Sequence, residues 1–126
     1  MSAPSGRPVG PYTPIVRAGD WLIVSGQVGA APGGDGAPTL VTGGTPAQLR
    51  QALTNLAGLL EGEGASLAQV VKATVFLVDM SEFAALNEVW METFPEPRPA
   101  RSAIGVAALP LGARIEVEAW AYLGAR

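Results

Sequence analysis

Two stretches of this sequence have the apolar spacing of an amphipathic helix, and strand-like stretches precede, separate and follow them. A cap residue followed by proline, Thr45-Pro46, predicts the start of the first helix, and Ser81 predicts the cap of the second. Strands are predicted within residues 20–28, 70–79, 100–107 and 113–122. Because two helices cannot cover both faces of a sheet with four or more strands, the order predicts an α+β domain with both helices on one face.

Each predicted helix has one apolar stripe that we expect to face the sheet. The first stripe consists of Leu49, Ala52, Leu53, Leu56, Leu59 and Leu60, and the helix ends at "EGEG". The second stripe consists of Phe83, Leu86, Trp90 and Phe94, and the helix ends at the prolines of "PEPRP". Residues 29–44 are rich in glycine and proline and predict a long connection, with a short strand at Leu40-Val41.

The alternation within each strand predicts which side chains share a sheet face. In the last strand, Ile115, Val117, Ala119 and Ala121 are expected under the helices, and Arg114, Glu116, Glu118, Trp120 and Tyr122 on the opposite face. In the strand at 70–79 the shared face is Val71, Ala73, Val75 and Leu77. In the strand at 20–28, Trp21, Ile23, Ser25 and Gln27 oppose Leu22, Val24 and Gly26. Charges mixed with aromatic rings suit a protein interface better than open solvent.

The composition fits one small, apolar domain that associates with copies of itself. The 126 residues predict a single domain over 1–126, with residues 1–9 as a loose lead-in. Hydrophobic residues make up 48% and charged residues only 15%, so the excess apolar surface predicts burial against other subunits. No apolar run reaches the length of a membrane span, and no signal peptide is recognisable. The net charge of −3 gives no electrostatic basis for binding nucleic acid.

The absence of cysteine and histidine restricts the available chemistry. Thiolate nucleophiles, zinc sites and Ser-His-Asp triads are excluded. Lys72 is the only lysine, so Schiff-base chemistry would depend on that residue. Any catalysis must use carboxylates, arginine, tyrosine, hydroxyls, backbone dipoles and water. A chain without cysteine also fits a cytoplasmic protein.

Arg101 and Glu116 are the charged residues best placed for chemistry. An arginine grips a carboxylate or phosphate through two parallel hydrogen bonds, so Arg101 is interpreted as a ligand clamp or as half of a structural ion pair with Glu116 or Glu118. Glu116 lies on the mixed face, where a carboxylate orients or deprotonates water; the alternative is an intersubunit ion pair or a solvated edge.

Four further positions have weaker signals. Tyr12, in the turn "GPY", either donates to a substrate or anchors the turn. The "SGQ" stretch places Gly26 beside Ser25 within a strand, which indicates a bulge or a close approach of the backbone to a ligand. Asn87 is a polar residue in the middle of the second helix. The glycines of the 29–44 connection match no phosphate-binding loop.

Several blocks together identify a family. The segments "GPYTPIV", "WLIVSGQV", "GASLAQVVKATVFLVDMSEFAALNEVW" and "PARSAIGVAALPLGARIEVEAWA" resemble the RidA/YjgF family of imine deaminases, over about Pro8 to Ala121. The resemblance implies a chorismate-mutase-like α+β fold and a homotrimer whose open sheet faces form a central barrel. It also implies active-site clefts between subunits, hydrolysis of 2-imino acids or enamines to 2-oxo acids and ammonia, and no cofactor or metal.

The resemblance also assigns site residues. The carboxylate-binding arginine falls on Arg101 and the water-positioning glutamate on Glu116. Other substrate-binding positions fall on Tyr12, Ser25, Gly26, Asn87 and Ala103, whose backbone faces the substrate imine. In this mechanism the arginine holds the substrate carboxylate and the glutamate holds the attacking water. Because the imine is already electrophilic, positioning supplies much of the acceleration.

The chain departs from the family pattern at two positions and in the irregular loop at 29–44, and two other functions compete. Pro14 stands where glutamine is common, and Gly105 where a larger, often polar or acidic residue is frequent, so we expect a reshaped pocket. The first alternative is a non-catalytic member that binds small carboxylates as a sensor or chaperone. The second is RNA cleavage, which the acidic balance and the lack of histidine disfavour.

Overall fold

Five strands form one mixed sheet in the computed structural model, which describes residues 10–125. The strands of this sheet are β1 (Ile15–Ala18), β2 (Trp21–Val28), β5 (Val70–Leu77), β6 (Ala100–Gly105) and β7 (Ile115–Tyr122). Their spatial order is β1-β2-β7-β5-β6; the pair β5 and β6 is parallel, and the other neighbours are antiparallel. The helices are α1 (Gly44–Gly62) and α2 (Phe83–Thr93). The lead-in predicted at 1–9 lies outside the described residues.

Both helices pack on the same face of the sheet, as predicted. Their buried side chains and those of β2, β5 and β7 form one continuous apolar cluster. The six predicted stripe residues of α1 are all buried in it. The β7 residues predicted to lie under the helices, Ile115, Val117, Ala119 and Ala121, are fully buried. The α+β class and the mixed sheet are therefore confirmed, and the opposite sheet face carries no helix in the described part of the chain.

The predicted cap of α1 is wrong. Gly43, with a φ of 115° that favours glycine, is the N-cap, and no side chain caps the helix. Thr45 lies inside the first turn and is buried, where its hydroxyl donates to Glu82 Oε1 at 2.8 Å and accepts from Arg114 Nε at 3.1 Å. A threonine before a proline is typical of a helix N-cap, but here the hydroxyl bonds to residues distant in the sequence, Glu82 and Arg114.

The start and the buried face of α2 also differ from the prediction. The N-cap of α2 is Glu82 rather than Ser81, and its side chain makes no cap hydrogen bond. Asp79 caps the turn that precedes the helix, because its carboxylate accepts from the backbone N–H of Ser81 at 2.9 Å. A 3-10 turn, Met80–Glu82, then leads into the helix. Leu86, Trp90 and Phe94 are buried as predicted, but Phe83 is exposed and Val89 is buried in its place. The helix is therefore rotated relative to the predicted stripe.

Two bulges change the predicted strand faces. On β2, Val24 pairs with Ala119 and Gln27 with Val117, so one extra residue lies between them and Gln27 turns to the helix-covered face. On β5, Val70 pairs with Ala121 and Lys72 with Trp120, so Val70 rather than Val71 faces the core. The predicted connection at 29–44 contains a hairpin of β3 (Ala30–Pro32) and β4 (Pro38–Leu40), so the short strand ends at Leu40.

The open face of the sheet carries aromatic rings at its β2–β7 end. Trp21 packs edge-on against Trp120, with ring centroids 5.9 Å apart, and against Tyr122 at 4.9 Å. Trp21 and Trp120 are both substantially exposed. None of the helices in residues 10–125 is long and apolar enough to cross a membrane.

Candidate functional site

The bulge in β2 brings the backbone of Gly26 against the carboxylate of Glu116. A Cβ atom built on Gly26 would overlap the Glu116 carboxylate and lie 2.8 Å from its Cδ atom. Only glycine leaves this space, so the bulge and the missing side chain together make room for the glutamate. The bulge predicted as one alternative for this stretch is confirmed, and the close neighbour of the Gly26 backbone is the Glu116 side chain.

Glu116 lies in an open cleft on the uncovered face of the sheet, which we name the carboxylate cleft. The cleft has a volume of about 530 Å³ and is lined by Tyr12, Ser25, Gly26, Pro110, Glu116 and Glu118. The Ser25 hydroxyl donates to the carbonyl of Thr13 at 2.7 Å, and the Ser25 N–H donates to the carbonyl of Pro14 at 2.8 Å. Ser25 therefore fixes the segment that carries Tyr12.

The surroundings of the Glu116 carboxylate disfavour its charged form. Burial raises its pKa, and the neighbouring charge of Glu118 raises it further. No hydrogen-bond donor or cation in the described part of the chain holds the Glu116 carboxylate. A half-buried carboxylate in this state is suited to accept a proton or to hold a water molecule.

Arg101 lies on the other side of the sheet. Its strand β6 runs parallel to β5, with Arg101 opposite Ala73 and Ala103 opposite Val75. Paired residues point to the same face, and Ala73 and Val75 are both in the core under the helices. Arg101 therefore points toward α2, at the exposed edge of the sheet.

Three residues on one face of α2 hold the Arg101 guanidinium. Its Nη2 donates to Asn87 Oδ1 at 2.8 Å. The rings of Phe83 and Trp90 lie 5.5 Å and 5.2 Å from the guanidinium carbon, within cation–π range. We name this group, consisting of Arg101, Phe83, Asn87 and Trp90, the arginine cradle. Burial lowers the pKa of Arg101, which nevertheless stays charged at any physiological pH.

The arginine cradle has no anionic partner in residues 10–125. The ion pairs of this part of the chain involve other arginines. Within a single protomer, Arg101 therefore does not pair with Glu116 or Glu118, which was one of the two interpretations from the sequence. Asn87 is a neutral amide, which orients the guanidinium without neutralising it. A fixed arginine with an unmatched charge is suited to bind a carboxylate.

The predicted site residues thus fall into two groups on opposite faces of one sheet. Tyr12, Ser25, Gly26 and Glu116 meet at the carboxylate cleft. Arg101, Ala103 and Asn87 lie on the helix-covered side, and Asn87 contacts the arginine directly. Sequence reasoning missed Phe83 and Trp90 as flanks of Arg101, although residues 83, 87 and 90 have the spacing of one helix face. No cluster of three potential metal ligands occurs among the described residues.

Comparison with known proteins agrees with this architecture. The family model described as Endoribonuclease L-PSP matches residues 2–123. A RutC family protein of Pyrococcus horikoshii is 43% identical over 116 residues, which cover 92% of this chain and 90% of that protein. The 2-iminobutanoate/2-iminopropanoate deaminase of Capra hircus is 42% identical over 116 residues, covering 92% and 82%.

A solved structure matches the fold over nearly the whole chain. The crystal structure of RidA from the Antarctic bacterium Psychrobacter sp. superposes with a TM-score of 0.89 at 39% identity, covering 97% of each chain. The match includes the mixed sheet and the two helices described above. The chain therefore belongs to the Endoribonuclease L-PSP family, which is the RidA/YjgF family that its sequence resembles.

Proposed function

We propose that this protein hydrolyses reactive 2-imino acids, or their enamine tautomers, to 2-oxo acids and ammonia without a cofactor. The observation that carries the proposal is a pair of charges that are unmatched within residues 10–125: an arginine that a neutral amide and two rings hold, and a glutamate that no donor of these residues holds. The name of the goat relative, 2-iminobutanoate/2-iminopropanoate deaminase, supports this substrate class.

Arg101 binds the substrate carboxylate in this mechanism. Its guanidinium offers further N–H donors beyond the one that Asn87 accepts, and two parallel hydrogen bonds fix both oxygens of a carboxylate. The aromatic flanks keep the guanidinium from reorienting, so little entropy is lost when substrate binds. Backbone groups beside Ala103 then face the imine nitrogen.

Glu116 activates water. The carboxylate accepts a proton from a water molecule as the water oxygen bonds to the imine carbon, and it returns that proton to the imine nitrogen, which gives a neutral carbinolamine. The carboxylate then carries the hydroxyl proton of the carbinolamine to its amino nitrogen as the carbon–nitrogen bond breaks, so the products are ammonia and a 2-oxo acid. A raised pKa brings the glutamate closer to the pH at which it can both accept and return the proton.

Because the sheet separates Arg101 from Glu116, we propose that two copies of the chain form each active site. The arginine cradle of one protomer then faces the carboxylate cleft of its neighbour. A homotrimer with closed symmetry would repeat this contact three times and bury the exposed aromatic face around its axis. The substrate carboxylate would then neutralise Arg101 at a position from which Glu116 of the neighbour reaches the imine.

The two alternative functions make different demands on these residues. A sensor or chaperone that only binds small carboxylates needs Arg101 but gains nothing from a cleft glutamate that no donor in residues 10–125 holds. RNA cleavage would require favourable contact with phosphates, whereas the carboxylate cleft carries Glu116 and Glu118 within a chain of net charge −3. Neither alternative is favoured by a specific contact.

The activity is tested by following the decay of an imine made in the assay by a threonine dehydratase. We expect the wild-type protein to accelerate the decay, and Arg101→Ala and Glu116→Ala each to lower its rate at least about a hundredfold. Arg98→Ala is the matched control, because Arg98 is a nearby arginine that hydrogen-bonds the carbonyl of Phe94. Imine decay that is unchanged by wild-type protein would refute the deaminase; carboxylate binding alone would then support the sensor.

The shared site is tested by mixing the two inactive variants. If Arg101 and Glu116 act from different protomers, randomly reassembled trimers of Arg101→Ala and Glu116→Ala chains regain about one quarter of the wild-type activity. Each variant alone remains inactive, which provides the control. If the mixture stays inactive although the subunits have exchanged, the two residues do not act across a subunit boundary.

A further inference from the structure

The space beside Gly105 is occupied by Met80, and the backbone conformation of Gly105 does not itself require glycine. Its φ is not in the left-handed region, so an L-residue would fit its backbone. A Cβ atom at this position would instead lie 3.0 Å from Cγ and 3.7 Å from Sδ of Met80. The missing side chain thus lets the methionine lie directly over the end of β6.

Met80 extends the arginine cradle into an apolar track. Gly105, Ala103 and Arg101 are alternate residues of β6 and face the same side of the sheet. Met80 and Phe83 lie opposite β6, at the start of the segment that leads into α2. Met80 precedes Phe83 by three residues, and the Phe83 ring flanks the Arg101 guanidinium. The Met80 and Phe83 side chains are 44% and 39% exposed. We call this surface, from Phe83 and Ala103 to Met80 and Gly105, the apolar track.

The geometry points to the apolar track as the binding site for the side chain of the substrate, with a preference for 2-imino acids that have long aliphatic side chains. This inference rests on the proposed function, since it assumes that Arg101 holds the carboxylate. A substrate anchored at the guanidinium extends one end across the Phe83 ring toward Met80. A flexible thioether adapts to branched or unbranched chains, whereas the track offers no charged or polar side chain to an acidic substrate.

The size of the preference follows from apolar burial. Each methylene that the track removes from water is expected to strengthen binding about fourfold. Leucine- or methionine-derived imines therefore bind more tightly than the alanine-derived imine, by tenfold or more if two methylenes are buried. Replacing Met80 by a polar side chain of similar length removes this gain without changing the carboxylate contact.

The experiment compares two substrates and two methionine variants. Imines of alanine and leucine are generated by a flavin-dependent amino-acid oxidase, and their hydrolysis is measured as kcat/KM. The dissociation constants of 2-oxopropanoate and 4-methyl-2-oxopentanoate are measured by calorimetry as an independent readout. Met80→Gln tests the track, and Met91→Gln is the matched control, because Met91 is a methionine of α2 that is 56% exposed and outside the track.

We expect wild type and Met91→Gln to favour the leucine-derived substrate and the longer 2-oxo acid about tenfold. Met80→Gln should lose most of that preference and retain the binding of 2-oxopropanoate. Gly105→Glu is a second variant, in which a carboxylate displaces Met80 and should weaken the longer ligand selectively. Equal affinity of wild type for both ligands, or no binding of either, would overturn the inference.

Two outcomes separate this inference from the proposed function. Calorimetry that shows the Met80-dependent preference without any imine hydrolysis would support the track and refute the deaminase. Hydrolysis of the alanine-derived imine with no preference for the longer chain would support the deaminase and refute the track. If Met80→Gln lowers the molar mass in light scattering and leaves selectivity unchanged, another protomer covers the track and the inference is wrong.

Discussion

The sheet face of Glu116 follows from its sequence, whereas its raised pKa follows from the tertiary structure. Strand alternation alone places it on the face opposite the helices, and the structure confirms that position beside Gly26. Its raised pKa has a cause that the sequence does not reveal, namely burial in a cleft formed by residues distant in the chain, with a smaller contribution from Glu118. The folded protein consequently keeps a proton on Glu116 at a pH where the unfolded chain has lost it.

Glu116→Gln should change how stability depends on pH. A raised pKa in the folded state means that the free energy of unfolding falls as pH rises from the ordinary carboxyl value through the raised one. A glutamine side chain does not titrate, so the variant does not lose this free energy of unfolding as pH rises. We expect the variant to match wild type at about pH 4 and to have the higher melting temperature at about pH 7. Thermal unfolding at both pH values measures the difference.

Glu61→Gln provides the control, because it removes one exposed carboxylate from α1. It should not reproduce the pH-dependent gain in melting temperature. If Glu116→Gln is less stable than wild type at neutral pH, the glutamate has a stabilising partner in the assembled protein, and the assignment of an unpaired carboxylate is wrong.

Asn55 connects two elements on which the site depends. It is buried in α1 among the leucines, and its Nδ2 donates to the carbonyls of Val28 at 3.1 Å and Ala30 at 2.9 Å. Its Oδ1 accepts from Gln51 at 2.8 Å. Asn55 thus fixes the end of β2, just beyond the bulge that places Gly26 against Glu116.

Asn55→Leu should therefore destabilise the fold. The two carbonyls lose their buried donor, which costs about 2 kcal/mol of the free energy of unfolding, even though leucine is apolar and similar in size. Urea unfolding measures this change. The neighbouring Thr54→Ala is the control: Thr54 is exposed and only bonds back to the carbonyl of Arg50, so its effect should stay below about 0.5 kcal/mol. Equal effects of both variants would contradict the role given to Asn55.

At the scale of the whole molecule, the open sheet face is the surface through which we expect copies of the chain to associate. Trp21, Trp120 and Tyr122 form a ring cluster on this face, and Trp120 is 43% exposed. Exposed rings beside glutamates are typical of protein interfaces. The sequence predicts association through this face, and the separation of Arg101 from Glu116 requires association for the proposed chemistry.

Trp120→Glu should disrupt that association. A carboxylate in place of the ring would be buried without a partner if three copies bring their open faces together. We expect light scattering to report three times the chain mass for wild type and a lower mass for the variant, together with loss of deaminase activity. Met91→Glu, which alters an exposed residue of α2, should keep the wild-type mass. A monomeric mass for wild type would refute the assembly and the shared site.

The sequence by itself determined the α+β class, the position of both helices on one sheet face and the orientation of β7. It did so because hydrophobic periodicity reports how a single element is divided between core and surface. Periodicity alone did not identify the residues of the site. Arg101 and Glu116 were assigned to it with the help of a family resemblance, and their catalytic roles are predictions.

Only the tertiary structure decided how those residues are arranged. A bulge adds one residue and reverses the faces beyond it, which is why the predicted faces of Gln27 and Val71 are wrong. Thr45 and Phe83 found partners in Glu82 and Arg101, contacts between segments far apart in sequence. The placement of Arg101 and Glu116 on opposite faces depends on the register of three strands, which local spacing does not encode.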